Sequence, residues 1–121
     1  MFSPKSLALG GALAAALLLS ATQALAHAHL VSSTPAANAT VAAPKAITLT
    51  FNEKLEPKFS GFELAMADGM AVAIKTSVSQ NRLAIVGTPS QPLAPGAYKV
   101  TWRAVAGDAH RMQGVVTFTV R

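Results

Sequence analysis

The residues of this 121-residue chain that are best suited to chemistry are its three histidines, His27, His29 and His110. Histidine is the commonest metal ligand in proteins and can bind through either ring nitrogen. Asp108 lies two positions before His110, and residues i and i+2 of an extended chain point to the same side. The spacing therefore predicts that the Asp108 carboxylate and the His110 imidazole can reach one metal ion.

The first 26 positions have the pattern of a cleavable secretory signal peptide. Lys5 supplies the positive charge, an apolar run extends from Leu7 to Leu19, and Ala24-Leu25-Ala26 forms a small-x-small cleavage signal. The apolar run is shorter than the ~20 residues that span a bilayer. We therefore predict cleavage after position 26, export to a periplasm, and a mature domain, residues 27–121, without a membrane span.

Cleavage after position 26 would make His27 an N-terminal residue with a free α-amine. The reference pKa of an α-amine is about 7.7 to 8.0, so a metal ion can displace its proton near neutral pH. His27 then offers its amine and its ring Nδ1 to the same ion. With His110 and Asp108 the set has three nitrogens and one oxygen, which favours square-planar or tetragonal copper(II), although zinc could use the same groups tetrahedrally. We expect one copper(II) ion per mature chain.

Each of these predicted ligands also has a purely structural interpretation. His27 could simply be the residue at which the leader ends, and His110 could be an ordinary loop histidine. Asp108 follows Gly107 and could be a turn-former. The residues alone leave both interpretations open.

Four further residues are weaker candidate ligands. His29 could bind copper(II) in a His27-Ala28-His29 chelate through the terminal amine, two amide nitrogens and the third imidazole, or it could start the first strand. Glu53 follows a strand and could approach the metal as a hydrogen-bond acceptor, or be an exposed charge. Met66 and Met70 flank a predicted hairpin turn and are soft ligands suited to copper(I). Both also continue apolar faces, where methionine usually packs, and we favour packing.

The composition excludes several classes of function. The chain has no cysteine, which rules out disulfide scaffolds, thiolate metal sites, iron–sulfur clusters and cysteine nucleophiles. Ten Lys and Arg outnumber five Asp and Glu, for a net charge of +5, but the basic residues lie singly along the chain. Because no basic or aromatic stripe is clustered, we predict no nucleic-acid partner.

Apolar and polar residues alternate through most of residues 27–121, which is the period of half-buried strands. The alternating segments are a short strand near Leu30 and Val31, then Ile47 to Phe51, Phe62 to Met66, Met70 to Ile74, Leu83 to Val86, Tyr98 to Ala104, and Val116 to Val120. Residues 87–96 contain three prolines and are predicted to be an extended connection. This pattern predicts an all-β fold, a seven-stranded Greek-key β-sandwich of immunoglobulin-like type and cupredoxin-like outline, with Trp102 at the centre of its core.

From position 27 onward the sequence resembles the CopC family of periplasmic copper-resistance proteins. The segments that carry the resemblance are His27-Ala28-His29-Leu30, Val31-Ser32-Ser33-Thr34-Pro35-Ala36, Leu49-Thr50-Phe51-Asn52-Glu53, Phe59-Ser60-Gly61, Pro95-Gly96-Ala97-Tyr98-Lys99-Val100-Thr101-Trp102-Arg103, Asp108-Ala109-His110 and Gly114-Val115-Val116-Thr117-Phe118. An exported leader, a histidine at the cleavage point and an Asp-x-His before the final strand form a specific combination.

The resemblance implies a seven-stranded β-sandwich that binds copper(II) and carries or sequesters it in the periplasm. It also implies association with a CopD-type inner-membrane copper protein. The family's ligand positions fall on His27, as the N-terminal brace, and on His110, with Asp108 as the nearby carboxylate. The family's acid after the second strand falls on Glu53.

This chain departs from the family pattern at the hairpin that would hold copper(I). Family members with a separate copper(I) site carry a methionine-rich loop, whereas this chain keeps only Met66 and Met70 there and has no histidine in that hairpin. A dedicated copper(I) site is therefore not expected.

Three functions follow from these considerations. The leading one is a monomeric, non-catalytic copper(II) carrier or buffer, because protein ligands that fill the equatorial positions leave little room for a substrate. The second is a histidine-brace copper oxidase or monooxygenase, which needs an open coordination position and a substrate surface; Tyr98 and Trp102 fit the core face instead of an exposed aromatic row. The third is a metal-free exported interaction module.

Overall fold

The computed structural model describes residues 29–121, so the predicted signal peptide and His27 lie outside the described residues. These residues form nine strands and a 3-10 helix, Pro57–Phe59. The strands are β1 (Leu30–Thr34), β2 (Thr40–Val41), β3 (Ile47–Phe51), β4 (Gly61–Met66), β5 (Ala71–Val72), β6 (Ile74–Val78), β7 (Ala84–Pro89), β8 (Gly96–Val105) and β9 (Arg111–Val120). No helix in this range is long and apolar enough to cross a membrane.

The nine strands are divided between two sheets. One sheet has the order β1-β3-β7-β6 and the other the order β2-β9-β8-β4-β5. The pairings are antiparallel, except for the short parallel pairing of β2 with β9. The two-residue strands β2 and β5 form the edges of the larger sheet, and the other seven strands have five residues or more. The predicted all-β, seven-stranded β-sandwich is confirmed.

Strand β8 shows how the alternating pattern builds the core. Tyr98, Val100, Trp102 and Ala104 are buried, and the residues between them are exposed. The ring of Trp102 meets that of Phe51, from the opposite sheet, edge to face with the centroids 5.2 Å apart. A domain without disulfides depends on such apolar burial for its stability.

The indole of Trp102 packs directly over Gly114 of β9. The two residues are cross-strand partners, and a Cβ atom at position 114 would lie only 2.6 Å from Cζ2 of the indole. Glycine is therefore required at this position because any side chain would displace the largest ring of the core.

The predicted strand from Met70 to Ile74 is wrong in one respect, because the chain changes sheets within it. Ala71 and Val72 form β5 and pair with β4. β6 begins at Ile74 and pairs with β7 in the other sheet. The sequence pattern does not reveal this switch, since a half-buried strand shows the same alternation in either sheet.

Two strands extend further than the sequence indicates. β7 continues to Pro89, into the segment predicted to be a connection. Pro89 is tolerated there because β3 pairs with β7 only as far as Gly87, so one side of the strand needs no donor at position 89. β9 begins at Arg111 instead of Val116, because it pairs with β8 as far as Val105.

Candidate metal centre

The Asp-x-His pair lies in the loop that joins β8 to β9, residues 106–110. The Ala106 amide donates a hydrogen bond to the His110 carbonyl at 2.9 Å, and the Ala109 amide donates to the Ala106 carbonyl at 2.9 Å. Ala109 has a φ of 70°, in the left-handed region that alanine rarely adopts. The loop is therefore a tight turn. The prediction of an extended segment was wrong, and the i, i+2 argument for a shared metal does not apply.

The turn nevertheless brings the two side chains together. Asp108 Oδ1 accepts a hydrogen bond from the His110 backbone amide at 3.1 Å, and Asp108 Oδ2 lies 2.8 Å from His110 Nδ1. The hydrogen bond with the His110 side chain is the main reason why the pKa of the Asp108 carboxyl is below its ordinary value. Since Nδ1 contacts the carboxylate, Nε2 is the ring nitrogen through which His110 would bind a metal. A carboxylate on the second ring nitrogen is a common way to orient a metal-binding histidine.

Asn52 holds His29 beside the end of β3. The His29 amide donates to Asn52 Oδ1 at 2.7 Å, and the His29 carbonyl accepts from the Asn52 amide at 3.3 Å. A His27-Ala28-His29 chelate would require the His29 amide nitrogen to lose its proton and bind the metal. The observed hydrogen bond uses the same N–H, so the two arrangements exclude each other. The geometry favours the interpretation that His29 starts the first strand.

Glu53 lies at the same end of the sandwich as the turn. Leu55, two residues later, forms an isolated β-bridge with Ala106, which joins the segment after β3 to the loop after β8. Glu53 itself is exposed. Within residues 29–121, however, no three His, Asp or Glu side chains are grouped so that they could hold a metal ion. Glu53 and His29 therefore share an end of the fold with Asp108 without completing a ligand set around it.

Met66 and Met70 lie at the opposite end of the sandwich. Met66 pairs with Tyr98 near the start of β8, and at ~3.3 Å per residue the distance from Tyr98 to the Asp-x-His turn is roughly 25 Å. The two methionines therefore cannot share a site with His110. Met66 is half-buried against the core, as expected, whereas Met70 is 64% exposed and the prediction that it packs was wrong.

Sequence reasoning missed two residues that shape this end of the molecule, Asn52 and Ala109. Asparagine commonly bonds to nearby backbone at a strand end, but nothing in the sequence shows that its partner is 23 positions away. A positive φ is expected at Gly, Asn or Asp, so the pattern Asp-x-His gave no signal that Ala109 adopts one. Both features depend on tertiary pairing of segments that are distant in the chain.

The chain is similar to known copper resistance proteins over most or all of its length. The family model of the CopC domain matches residues 30–121. The chain is 41% identical to copper resistance protein C of Xanthomonas campestris pv. juglandis over an alignment of 128 positions, which covers 100% of both chains. It is 47% identical to copper resistance protein C of Pseudomonas syringae pv. tomato, covering 89% of this chain and 90% of that one. The crystal structure of PcoC, a methionine-rich copper resistance protein from Escherichia coli, is similar with a TM-score of 0.74 and 44% identity, over 79% of this chain and 100% of that one. The chain belongs to the CopC family.

Proposed function

We propose that this protein is a non-catalytic copper(II) carrier or buffer that acts in copper resistance. The observation that carries the proposal is the 2.8 Å contact between Asp108 Oδ2 and His110 Nδ1. It lies in a tight turn at the end of a CopC-family sandwich. A histidine oriented in this way would bind through Nε2, and imidazole nitrogen is a ligand well suited to copper(II).

His27 would supply the donors that residues 29–121 do not group around His110. Cleavage after position 26 would give His27 an amine and a ring nitrogen for the same ion. Together with His110 Nε2 these make three nitrogens around one copper(II) ion. Asp108 would act chiefly by fixing the His110 ring, and its negative charge beside the site would favour a divalent cation.

We assign a holding role and not a catalytic one. Three nitrogen donors would leave one equatorial position of a tetragonal copper(II) ion open, so catalysis would depend on a surface that holds a substrate there. Tyr98 and Trp102 are the only Tyr and Trp residues of the chain, and they are 3% and 8% exposed. They therefore do not form an aromatic surface on which a polysaccharide could lie, and the oxidase alternative has no supporting observation.

The proposed setting is the periplasm, with residues 1–26 as the signal peptide and residues 27–121 as the copper-binding domain. The family resemblance supports a CopD-type inner-membrane copper protein as the exchange partner. We propose a monomer with one copper(II) site. We propose no copper(I) site, since Met66 packs against the core and leaves Met70 as the single exposed methionine of the β4–β5 hairpin.

The test of this proposal is a copper(II) titration of mature protein that begins at His27. Trp102 is the only tryptophan, and its ring contacts Phe51, the residue before Asn52. The fluorescence of Trp102 therefore reports on the end of the sandwich that holds the proposed copper site. We expect one equivalent of copper(II) to quench the Trp102 fluorescence. The affinity for copper(II) is measured by competition with a chelator of known copper affinity.

The matched control is the same protein with one additional glycine before His27. The extension keeps every side chain but moves the free amine away from the His27 ring. We expect it to weaken copper(II) binding at least ~10-fold, since a ligand that is merely misplaced already costs ~10-fold to 100-fold. Equal affinity for the two proteins would refute the N-terminal site, and the absence of tight binding by both would refute copper carriage.

A further inference from the structure

An open cavity of about 650 Å³ lies between the 3-10 helix and the β8–β9 hairpin. We name it the basic groove and define it by six of its lining residues, Lys58, Phe59, Arg103, Val105, Arg111 and Met112. Ala109 of the Asp-x-His turn also lines it. The groove therefore lies next to the candidate metal centre, and among the described residues neither Asp108 nor His110 lines it.

The groove has an apolar lining. Phe59 is 61% exposed, so its side chain is accessible to a ligand in the groove. Val105 and Met112 are half-buried, and Met112 also packs against the core. Exposed apolar surface that is concave and bordered by polar groups is typical of a binding site.

The helix that carries Phe59 is fixed in place on both sides. The Glu56 amide, before the helix, donates to the Val105 carbonyl at 2.7 Å. The Val105 amide donates to the Ser60 hydroxyl, after the helix, at 3.0 Å. One residue of β8 thus anchors both ends of this wall. A preformed groove loses less conformational entropy when a ligand binds.

Three cations from three different elements border the apolar lining. Lys58 comes from the helix, Arg103 from β8 and Arg111 from β9. None of the described residues that line the cavity is acidic. Arg103 forms an ion pair with Glu63 at 3.9 Å, but both side chains are more than half exposed, so the pair offsets little of the positive charge.

We propose that the basic groove binds an extended segment of a partner protein in which carboxylates flank an apolar side chain. Arginine guanidinium groups bind carboxylates in a bidentate manner, and the apolar side chain would fill the space against Phe59, Val105 and Met112. A membrane surface would engage side chains that project outward, whereas these apolar groups line a recess. Binding in the basic groove needs no metal. A partner bound there would lie beside His110.

The experiment uses isotope-labelled, copper-free mature protein and a synthetic peptide with Asp and Glu on both sides of a Leu-Phe pair. Binding is followed by the NMR shifts of groove amides. Two more peptides carry Asn and Gln in place of the acids, or Gly-Gly in place of Leu-Phe. We expect only the first peptide to bind, and we expect its affinity to fall as salt screens the charges.

Matched variants locate the binding. We expect Phe59→Ala, or Arg103→Gln combined with Arg111→Gln, to weaken peptide binding about 10-fold, as for a central interface residue. Val115→Ala and Lys99→Gln remove an equally exposed apolar group and a cation that do not line the cavity, and we expect changes below about 2-fold. Circular dichroism confirms that each variant is folded.

Several results would overturn the proposal. The first is no shift of groove amides with the acidic peptide. The second is equal losses in the control and groove variants, which would indicate unspecific charge attraction. The third is binding of phosphatidylglycerol vesicles, but not of the peptide, through Phe59 and Arg111. Because the protein is free of copper throughout, these results are independent of the copper titration.

Discussion

The two ends of β8 differ in both chemistry and local structure. At the end that follows Val105, a tight turn fixes His110 against Asp108. At the end near Gly96, the β4–β5 hairpin places Met66 against the core and leaves Met70 exposed. The rigid strand keeps the two ends roughly 25 Å apart. The sulfur atoms of Met66 and Met70 therefore cannot share a metal ion with His110.

The two ends also share a motif, which makes the difference informative. Asp68 Oδ1 accepts a hydrogen bond from the Met70 amide at 2.9 Å, just as Asp108 Oδ1 accepts one from the His110 amide at 3.1 Å. Only at Asp108 does the second carboxylate oxygen also meet an imidazole. The same carboxylate-capped turn thus occurs at Asp68 and at Asp108. Only the second turn has a histidine two positions later, and this histidine is the proposed metal ligand.

Substitutions in the core, which connects the two ends, should have the largest effect on stability. We expect Trp102→Ala to lower the free energy of unfolding by ~3 to 5 kcal/mol, because it empties the space beside Phe51 and above Gly114. Gly114→Ala should cost ~1 to 3 kcal/mol by overpacking, because its Cβ would clash with the same indole. Urea unfolding followed by circular dichroism measures both. Wild-type stability in both variants would show that this packing does not support the sandwich.

Replacing the carboxylate of each turn should show which end of the sandwich takes part in copper(II) binding. We expect Asp108→Asn to weaken copper(II) binding about 10-fold to 100-fold, because the amide orients the His110 ring less well and lacks the negative charge. Asp68→Asn is the matched control in the same kind of turn, and its affinity should equal that of the wild type. Equal losses in both variants would mean that the carboxylates act only through net charge.

The Asp108–His110 contact also predicts a pH dependence in metal-free protein. The pKa of Asp108 is lowered mainly by the hydrogen bond with the His110 side chain, so it should lie below the unfolded value of about 3.9. The contact then adds stability above that value, and the stability is lost as the pH falls through the folded pKa. Carboxyl carbon NMR measures the titration. In His110→Ala the Asp108 pKa should rise, and an unchanged pKa would contradict the assigned cause.

Substitutions of the two methionines, Met66 and Met70, should have the smallest effect on copper(II) affinity and on stability. We expect Met66→Leu combined with Met70→Leu to leave copper(II) affinity unchanged, because both residues lie far from His110. Leucine for methionine conserves volume at Met66, and Met70 is exposed, so the change in stability should stay below ~1.5 kcal/mol. Calorimetric titration with copper(II) gives the affinity. A clear loss would show that sulfur takes part in the site.

The fold could be predicted from the sequence further than the site could. Alternation at Ile47 to Phe51 and at Tyr98 to Ala104 depends on local burial alone, and these strands are confirmed. The change of sheets at Ala73 and the start of β9 at Arg111 depend on pairing with distant strands. The positive φ of Ala109 and the contact of Asn52 with His29 have the same origin, so the pattern of residue types could not reveal them.

Residue types and spacing, and then the family resemblance, brought Asp108, His110 and Glu53 to attention, but neither revealed how they are arranged. In the structure the Asp108 carboxylate contacts the His110 ring, whereas Glu53 is exposed at the same end of the sandwich. His27, the donor on which the proposal most depends, lies outside the described residues. Its role therefore stays a prediction from the cleavage signal and from the chemistry of a free N-terminal histidine.

The most direct test of the proposed copper site is the electron paramagnetic resonance spectrum of copper(II) bound to mature protein, compared with that of His110→Gln. We expect coupling to three nitrogens in the wild type, the loss of one ring nitrogen in the variant, and a large fall in affinity. Identical spectra and equal affinity would show that His110 does not bind the metal and would contradict the proposed site.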